Sequence, residues 1–159
     1  MALTTAQLQA LKAAILADPA LAAAPANSDG AFFIADELNK LASPAFVVWR
    51  TDLPTKDVKK AINWTEYIAR SVGERAAFEL IISNGIVNTA DANVRQGFSD
   101  IFSGPGGVTT RTNLTAIAKR SATRAEKILA AGTGSDASPA VMGFEGSLSY
   151  QDVEAARAS

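Results

Sequence analysis

Apolar residues recur at helical spacing along most of this chain, and turn-forming residues separate the runs. The first run carries Leu8, Leu11, Ile15 and Leu16. Thr4 or Thr5 is suited to cap it, and Asp18-Pro19 stops it. The pattern therefore predicts a first helix between these points, followed by a linker of small residues over 20–30.

Two more helices are predicted in the first half of the chain. Ser28 or Asp29 is expected to cap the second helix, which ends before Pro44. The third begins after Pro54 and continues its apolar stripe to Asn84-Gly85, with a kink or stop at Gly73.

The apolar spacing in the second half of the chain predicts a pair of helices. Thr89 or Asp91 opens the first member, and Thr112 or Asn113 opens the second, which closes at Gly132. Six apolar side chains are expected to join the two helices. They are Phe98, Ile101, Phe102, Leu114, Ile117 and Ile128.

The segment 45–50 is too short for a helix and rich in β-branched and aromatic residues, which indicates an extended strand. A lone strand needs a partner. Candidates are the tail near 141–149 or a neighbouring subunit by strand addition. The alternative is a buried linker that packs Phe46 and Trp49 into the core.

The predicted fold class is mostly α. We expect a bundle of four to five helices with one short extended segment and an extended C-terminal arm. Residues 1–132 form the helical body, and residues 133–159 form the arm, with a short terminal helix around 150–157.

Glycine interrupts the arm, so its apolar residues have no helical spacing and are expected to dock on another molecule. With the extended segment they make a predicted assembly interface. Its members are Phe46, Trp49, Val141, Met142, Phe144 and Leu148.

Composition narrows the chemistry. The chain has 159 residues, no cysteine, no histidine and a formal net charge of −1. The commonest general base and the thiolate metal ligands are therefore missing, and no global charge favours nucleic acid or a membrane. The segment 103–111 resembles a phosphate loop only superficially, because it lacks the Gly-Lys-Ser/Thr ending and is better explained as a flexible connection between helices. We predict no enzyme activity, no catalytic residue, no cofactor, no metal site and no membrane segment.

One stretch is basic. Arg120, Arg124 and Lys127 fall at i, i+4 and i+7, which predicts a basic stripe opposite the apolar face of the last long helix. The stripe is either a solvated surface or a surface that meets phosphates, for example around a DNA channel.

Three stretches carry a family resemblance that extends over essentially the whole chain. They are "LTTAQLQALKAAILADPALAA", "SPAFVVWRTDLP" and "FEGSLSYQDVEAARAS". In these and in its short, helical, cysteine-free profile the chain resembles small virion structural proteins of tailed bacteriophages, and in particular head-to-tail connector (adaptor) proteins.

The resemblance implies a ring of about a dozen copies between portal and tail, surrounding the DNA exit channel. Expected partners are further copies of the chain, the portal protein and a downstream tail protein, with non-specific contact to genomic DNA. The expected location is the virion neck, after synthesis in the host cytoplasm. No residue-level site transfers, because connectors act through interfaces. Alternatives are a small helical regulatory or nucleic-acid-binding module, and another virion component such as a capsid decoration protein.

Overall fold

The computed structural model describes residues 2–159, and most of them are helical. It contains ten α-helices, four short strands and one 3₁₀ turn, Pro105–Gly107. The helices are α1 (Thr5–Ala17), α2 (Pro19–Ala22), α3 (Ser28–Asn39), α4 (Thr55–Ala61), α5 (Trp64–Ile68), α6 (Val72–Ile82), α7 (Ala92–Ile101), α8 (Val108–Ile117), α9 (Arg124–Leu129) and α10 (Tyr150–Ala158). The strands are β1 (Val47–Trp49), β2 (Leu53–Pro54), β3 (Ile86–Val87) and β4 (Lys119–Ser121). The mostly α class is confirmed.

The helices are shorter and more numerous than the sequence pattern predicted, because local caps restart the chain. Ser71 forms a capping box that begins α6, and Thr123 forms another that begins α9. In each box the side chain accepts from the backbone N–H of a glutamate three residues later, which fixes a new helix start. Asn63 likewise caps α5, so the helix predicted from Pro54 to Asn84 is divided into α4, α5 and α6. The helix predicted over 112–132 is divided into α8 and α9, and α8 begins earlier than predicted, at Val108.

The chain forms two compact units. Unit 1 contains the chain up to Val48 and again from Ser121 to Ser159, and unit 2 is the continuous segment Trp49–Arg120. The boundaries fall within β1 and β4, which pair with each other. This division replaces the predicted helical body of residues 1–132 with its separate arm.

Unit 1 has an aliphatic core drawn from both ends of the chain. Its buried members are Leu11, Ile15, Leu21, Ala31, Ile34, Ala35, Leu38, Ala125, Leu148, Val153 and Ala156. Helix α10 packs against α1 and α3. Asn39 fixes the entry to α10, because its amide nitrogen donates to Leu148 O (3.0 Å) and its amide oxygen accepts from Leu148 N–H (2.8 Å).

The predicted extended arm is therefore wrong from Leu148 onwards: this segment completes the core of unit 1. A terminal helix is present, as predicted. The reason the tail folds back is that α10 presents Val153 and Ala156, both fully buried, on one face.

The segment predicted to be extended is indeed strand β1, although its main partner was not anticipated. It pairs with β4, in a stretch predicted to be helical, and Val48 forms a parallel bridge with Ala140. The bridge lies at the edge of the predicted tail partner. In unit 1, Val48, Ala122 and Ala140 form a small buried cluster against which Phe46 and Met142 pack.

Unit 2 has an aromatic core. Phe78 contacts the rings of Tyr67, Phe98 and Phe102, at centroid separations of 5.5, 6.0 and 5.8 Å. Strands β2 and β3 pair antiparallel, with Leu53 opposite Val87. Edge-on and tilted ring contacts of this kind add to the stabilisation from burial.

The predicted packing of the helix pair is confirmed for five of its six side chains. Phe98, Ile101, Phe102 and Leu114 are buried in one cluster, and Ile117 packs against it. The sixth, Ile128, was placed wrongly. It packs against the core of unit 1, because the helix that was expected to carry it ends at Ile117.

Candidate functional site

Unit 2 contains a cavity of about 420 Å³ between α7 and α8. Each helix contributes residues at i, i+3, i+4 and i+7, which lie on one helix face, so one face of each helix forms a wall of the cavity. The lining residues are Trp49, Leu53, Thr89, Ala92, Arg95, Gln96, Phe98, Ser99, Arg111, Leu114, Thr115 and Ala118. The cavity thus combines an apolar floor with two arginines and several neutral polar side chains.

Arg95 and Trp49 form one side of this cavity. The guanidinium carbon of Arg95 lies 4.4 Å from the centroid of the Trp49 ring, which is cation–π geometry. Its Nη1 donates to Thr89 O at 2.6 Å and to Ala90 O at 2.8 Å, where the chain turns into α7. The side chain is therefore held in place without a carboxylate.

Thr89 fixes the backbone next to Arg95 on the same side of the cavity. It is buried, its N–H donates to Arg50 O at 2.8 Å, and its hydroxyl lies 2.6 Å from Arg50 O and 2.8 Å from Ala118 O. A buried hydroxyl and N–H that both have partners fix the backbone locally. The residue after β1 and the end of α8 are thereby joined at the cavity.

Arg111 also lines the cavity, and it binds the connection between α7 and α8. Its Nη1 donates to Phe102 O and to Gly104 O, the latter at 3.0 Å. Arg70 binds the same connection through Ile101 O, Ser103 O and Gly106 O. Of the segment 103–111 that superficially resembled a phosphate loop, residues 103–107 connect the two helices, as predicted, whereas residues 108–111 form the first turn of α8. The connection presents backbone carbonyl oxygens to these arginines.

Glu66 positions the start of α8. The N-cap residue Gly107 has no side chain, and the Glu66 carboxylate accepts from Thr109 N–H at 3.0 Å and from Thr110 N–H at 2.7 Å. Hydrogen bonding from the Thr110 side chain, together with these backbone N–H groups, lowers the pKa of Glu66 to about 2. This carboxylate thereby anchors the helix that carries Arg111.

The three predicted DNA-channel residues do not form a helical stripe. Arg120 lies in β4, Arg124 is the first residue of α9, and Lys127 lies in its last turn. The stripe was wrong because the chain leaves the helix at Ala118 and the Thr123 capping box starts a new one. Their i, i+4, i+7 spacing therefore does not put the three side chains on a common helix face.

Arg124 is committed to an ion-pair network inside unit 1. Its guanidinium lies 2.6 Å from Asp18 Oδ2 and 3.7 Å from Glu37 Oε2. The Arg124 side chain holds the pKa of Asp18 below its usual value. A depression of about 660 Å³ in unit 1 is lined by this pair and by the exposed Lys127, whose ammonium lies 5.8 Å from the Phe46 ring centroid.

The predicted assembly interface is mostly used within the chain. Leu148 is buried in the core of unit 1, and Phe144 packs on it. Phe46 and Met142 pack on the cluster around Val48, and Trp49 is half-buried at the cavity. Val141, whose backbone pairs with Ala131, is the exposed member of the set.

Sequence reasoning singled out neither Arg95 nor Arg111 as a site residue. A signal was present: on α7 and on α8 a face at i, i+3, i+4 and i+7 contains an arginine together with hydroxyl or amide side chains. That pattern alone does not say that the two faces meet.

Over residues 2–159, no helix is long and apolar enough to cross a membrane. The same residues contain no group of three or more His, Cys, Asp or Glu side chains placed to hold a metal ion. Comparisons of the chain with protein-family models, with curated proteins and with solved structures found no match.

Proposed function

We propose that this chain is a structural virion protein of a tailed bacteriophage, a head-to-tail connector that assembles as a ring between portal and tail around the DNA exit channel. The sequence resemblance gives the setting. Its partners are further copies of itself, the portal protein and a downstream tail protein.

The observation that carries an assembly role is the outer face of α6 in unit 2. Val72 and Leu80 are 76% and 74% exposed, and they lie at i and i+8 of one helix. Between and beside them the exposed residues are Gly73, Ala76, Ala77 and Glu79, so this face is apolar over two turns except at Glu79. Ordered apolar surface of this kind is typical of a contact with another protein rather than with water.

Helix α5, whose Tyr67 ring contacts Phe78 of α6, has exposed apolar residues of its own. Trp64 and Ile68 lie at i and i+4 of α5 and are 53% and 67% exposed. Tryptophan at the edge of an apolar face is the residue type that concentrates binding energy in protein interfaces. We assign α5 and α6 to the contact between neighbouring copies in the ring.

The DNA-facing part of the proposal now rests chiefly on Lys127. Arg124 is paired with Asp18 and Glu37, so reversing its charge would place three carboxylates together and disturb the fold. Lys127 is exposed, and Lys127→Glu tests contact with DNA without that complication. Particles carrying this variant should assemble and then retain or eject DNA abnormally.

The test of assembly uses light scattering coupled to size exclusion over a range of protein concentrations. The unaltered chain should form a species of about a dozen copies, and Val72→Asp with Leu80→Asp should stay monomeric. Leu16→Asp is the matched control, because Leu16 is also exposed but lies in unit 1. It should assemble like the unaltered chain.

Mass spectrometry of particles purified from the phage that encodes the chain tests the setting. A ring-sized species together with the chain in the particles would support the connector. A monomer at every concentration that is missing from the particles would overturn the proposal and favour a free regulatory or nucleic-acid-binding module. Presence in the particles at hundreds of copies would favour a decoration protein instead.

A further inference from the structure

We propose that the cavity between α7 and α8 binds a small amphiphilic anion, a carboxylate or phosphate attached to a compact apolar body. This site is independent of the assembly role, because the residues that line it are not those of the exposed face of α6.

The size and lining of the cavity fit a small ligand. A volume of about 420 Å³ lies within the usual range for small-molecule sites. Leu53, Phe98 and Leu114 give it an apolar floor, and all three are buried. An apolar body seated there would lose contact with water without displacing any of these core side chains.

The charge of the cavity selects an anion. Arg95 and Arg111 line it, and no aspartate or glutamate does. Neither guanidinium forms an ion pair within residues 2–159. By contrast, Arg124 in unit 1 has two carboxylate partners. The cavity of unit 2 therefore holds two positive charges that nothing in its lining neutralises.

Both arginines are also held in position before any ligand arrives. In each, Nη1 is engaged by two backbone carbonyl oxygens, at Thr89 and Ala90 for Arg95 and at Phe102 and Gly104 for Arg111. Within residues 2–159 the remaining guanidinium N–H groups have no acceptor, and arginine presents such groups in a fixed fork that matches carboxylate and phosphate oxygens. A donor that is already ordered loses little conformational entropy on binding.

The apolar floor and the two arginines together define the class of ligand. An inorganic anion would meet the arginines but leave the apolar floor uncovered, and a neutral apolar molecule would cover the floor but leave the arginines without partners. Only a molecule with both parts satisfies the whole cavity. Trp49, which lies under Arg95, gives a built-in optical signal for its arrival.

The experiment uses tryptophan fluorescence in the full chain. Trp64 is the other tryptophan of the sequence and does not line the cavity, so Trp64→Phe leaves Trp49 as the only tryptophan. The probes are phenyl phosphate, inorganic phosphate and benzyl alcohol. We expect a saturable change in Trp49 emission with phenyl phosphate, and affinities about tenfold weaker or more for the other two probes.

Variants locate the binding. Arg111→Gln should weaken phenyl phosphate binding by about tenfold or more, because a hydrogen-bonded charge is lost. The matched control is Arg75→Gln, which removes a half-buried arginine of unit 2 outside the cavity and should leave the affinity unchanged. Thermal melts check that each variant is folded. If Arg111→Gln is unfolded, Ser99→Phe replaces it, because an exposed lining residue is then enlarged and should block the probe.

Three results would overturn the proposal. One is the absence of a saturable change up to about 10 mM phenyl phosphate, well above the millimolar affinity expected of a fragment of this size. Another is equal affinity for phenyl phosphate and inorganic phosphate, which would indicate general attraction to positive charge. The third is binding that the folded variant, Arg111→Gln or its replacement Ser99→Phe, leaves unchanged.

Discussion

Unit 1 and unit 2 each contain a cavity lined by arginine, but the arginines have different partners. In unit 1, Arg124 faces Asp18 and Glu37, and its charge is neutralised within the protein. In unit 2, Arg95 and Arg111 bind only backbone carbonyl oxygens. A carbonyl orients a guanidinium without cancelling its charge, so the positive potential remains for a ligand. The same residue type thus serves structure in one unit and is available for binding in the other.

The cores differ in a related way. Unit 2 is one continuous segment, and its aromatic core forms between helices that are neighbours in sequence. Unit 1 joins the two ends of the chain, so its aliphatic core closes only when residues more than 100 positions apart meet, as Asn39 and Leu148 do. Contacts of such long separation carry a larger loop-closure cost than local ones. Unit 1 should therefore depend more on its last helix than unit 2 does on any one of its own.

The largest expected effect comes from removing residues 133–159. Leu148 and Val153 alone contribute roughly 1.5–3 kcal/mol each through burial, and α10 covers α1 and α3. We expect the truncated chain to lose the helices of unit 1, measured as a drop in far-ultraviolet circular dichroism. Tryptophan fluorescence follows unit 2 separately, because Trp49 and Trp64 both lie there.

A matched pair of substitutions sharpens this prediction. Val153→Asp places a charge at a fully buried position, whereas Ala155→Asp makes the same change on the exposed side of α10. The first should reproduce the truncation, and the second should be close to neutral. A truncated chain with unchanged helical content and melting temperature would show that the tail is an independent arm after all.

A smaller effect is expected from Phe102→Ala in unit 2. Phe102 is fully buried and its ring meets Phe78 edge-on, so truncation should cost about 3–5 kcal/mol in the free energy of unfolding. Phe33→Ala in unit 1 is the control, because Phe33 is exposed and its loss should stay within about 0.5 kcal/mol. Denaturant melts followed by tryptophan fluorescence measure both. Equal losses would mean that the aromatic cluster is not the source of stability in unit 2.

The smallest expected effects are on the loss of stability at acidic pH. The pKa of Glu66 is lowered from 4.5 to about 2 by hydrogen bonds to the start of α8, and the pKa of Asp18 is lowered from 3.8, chiefly by Arg124. A lowered pKa in the folded state means that the carboxylate contributes stability above its ordinary pKa and that this contribution disappears as the pH falls through the folded value. Glu66→Gln should therefore flatten the loss of stability between about pH 4.5 and pH 2. Asp18→Asn should flatten the loss of stability that begins as the pH falls below 3.8.

Salt separates these two carboxylates. Asp18 interacts with a guanidinium at a partly exposed position, and at about 1 M salt the screening length falls to about 3 Å. The difference between the unaltered chain and Asp18→Asn should then shrink, while the difference for Glu66→Gln, which rests on short N–H bonds, should persist. Melting temperatures measured at low and high salt across this pH range provide the comparison. Equal salt sensitivity at both sites would contradict the assignment of the Asp18 effect to an ion pair and of the Glu66 effect to hydrogen bonds from N–H groups.

Much of the local structure was determined by the sequence alone. Thr4, Asp91 and Ser149 cap helices as local side-chain chemistry requires, and the apolar spacing of Phe98, Ile101 and Phe102 predicted which face of α7 is buried. These features depend on residues within about four positions of one another, which is the range of a helical turn.

Other features were decided by the tertiary structure. The spacing of Arg120, Arg124 and Lys127 suits a helix, yet β4 forms there because β1 offers a strand partner. The apolar residues of the tail lack helical spacing, and only the fold shows that Leu148 is buried among residues of α1 and α3. Whether an arginine meets a carboxylate, as Arg124 does, or only carbonyl oxygens, as Arg111 does, is likewise a matter of which distant segments are brought together. Burial and charge pairing depend on these non-local contacts, and no local pattern in the sequence specifies them.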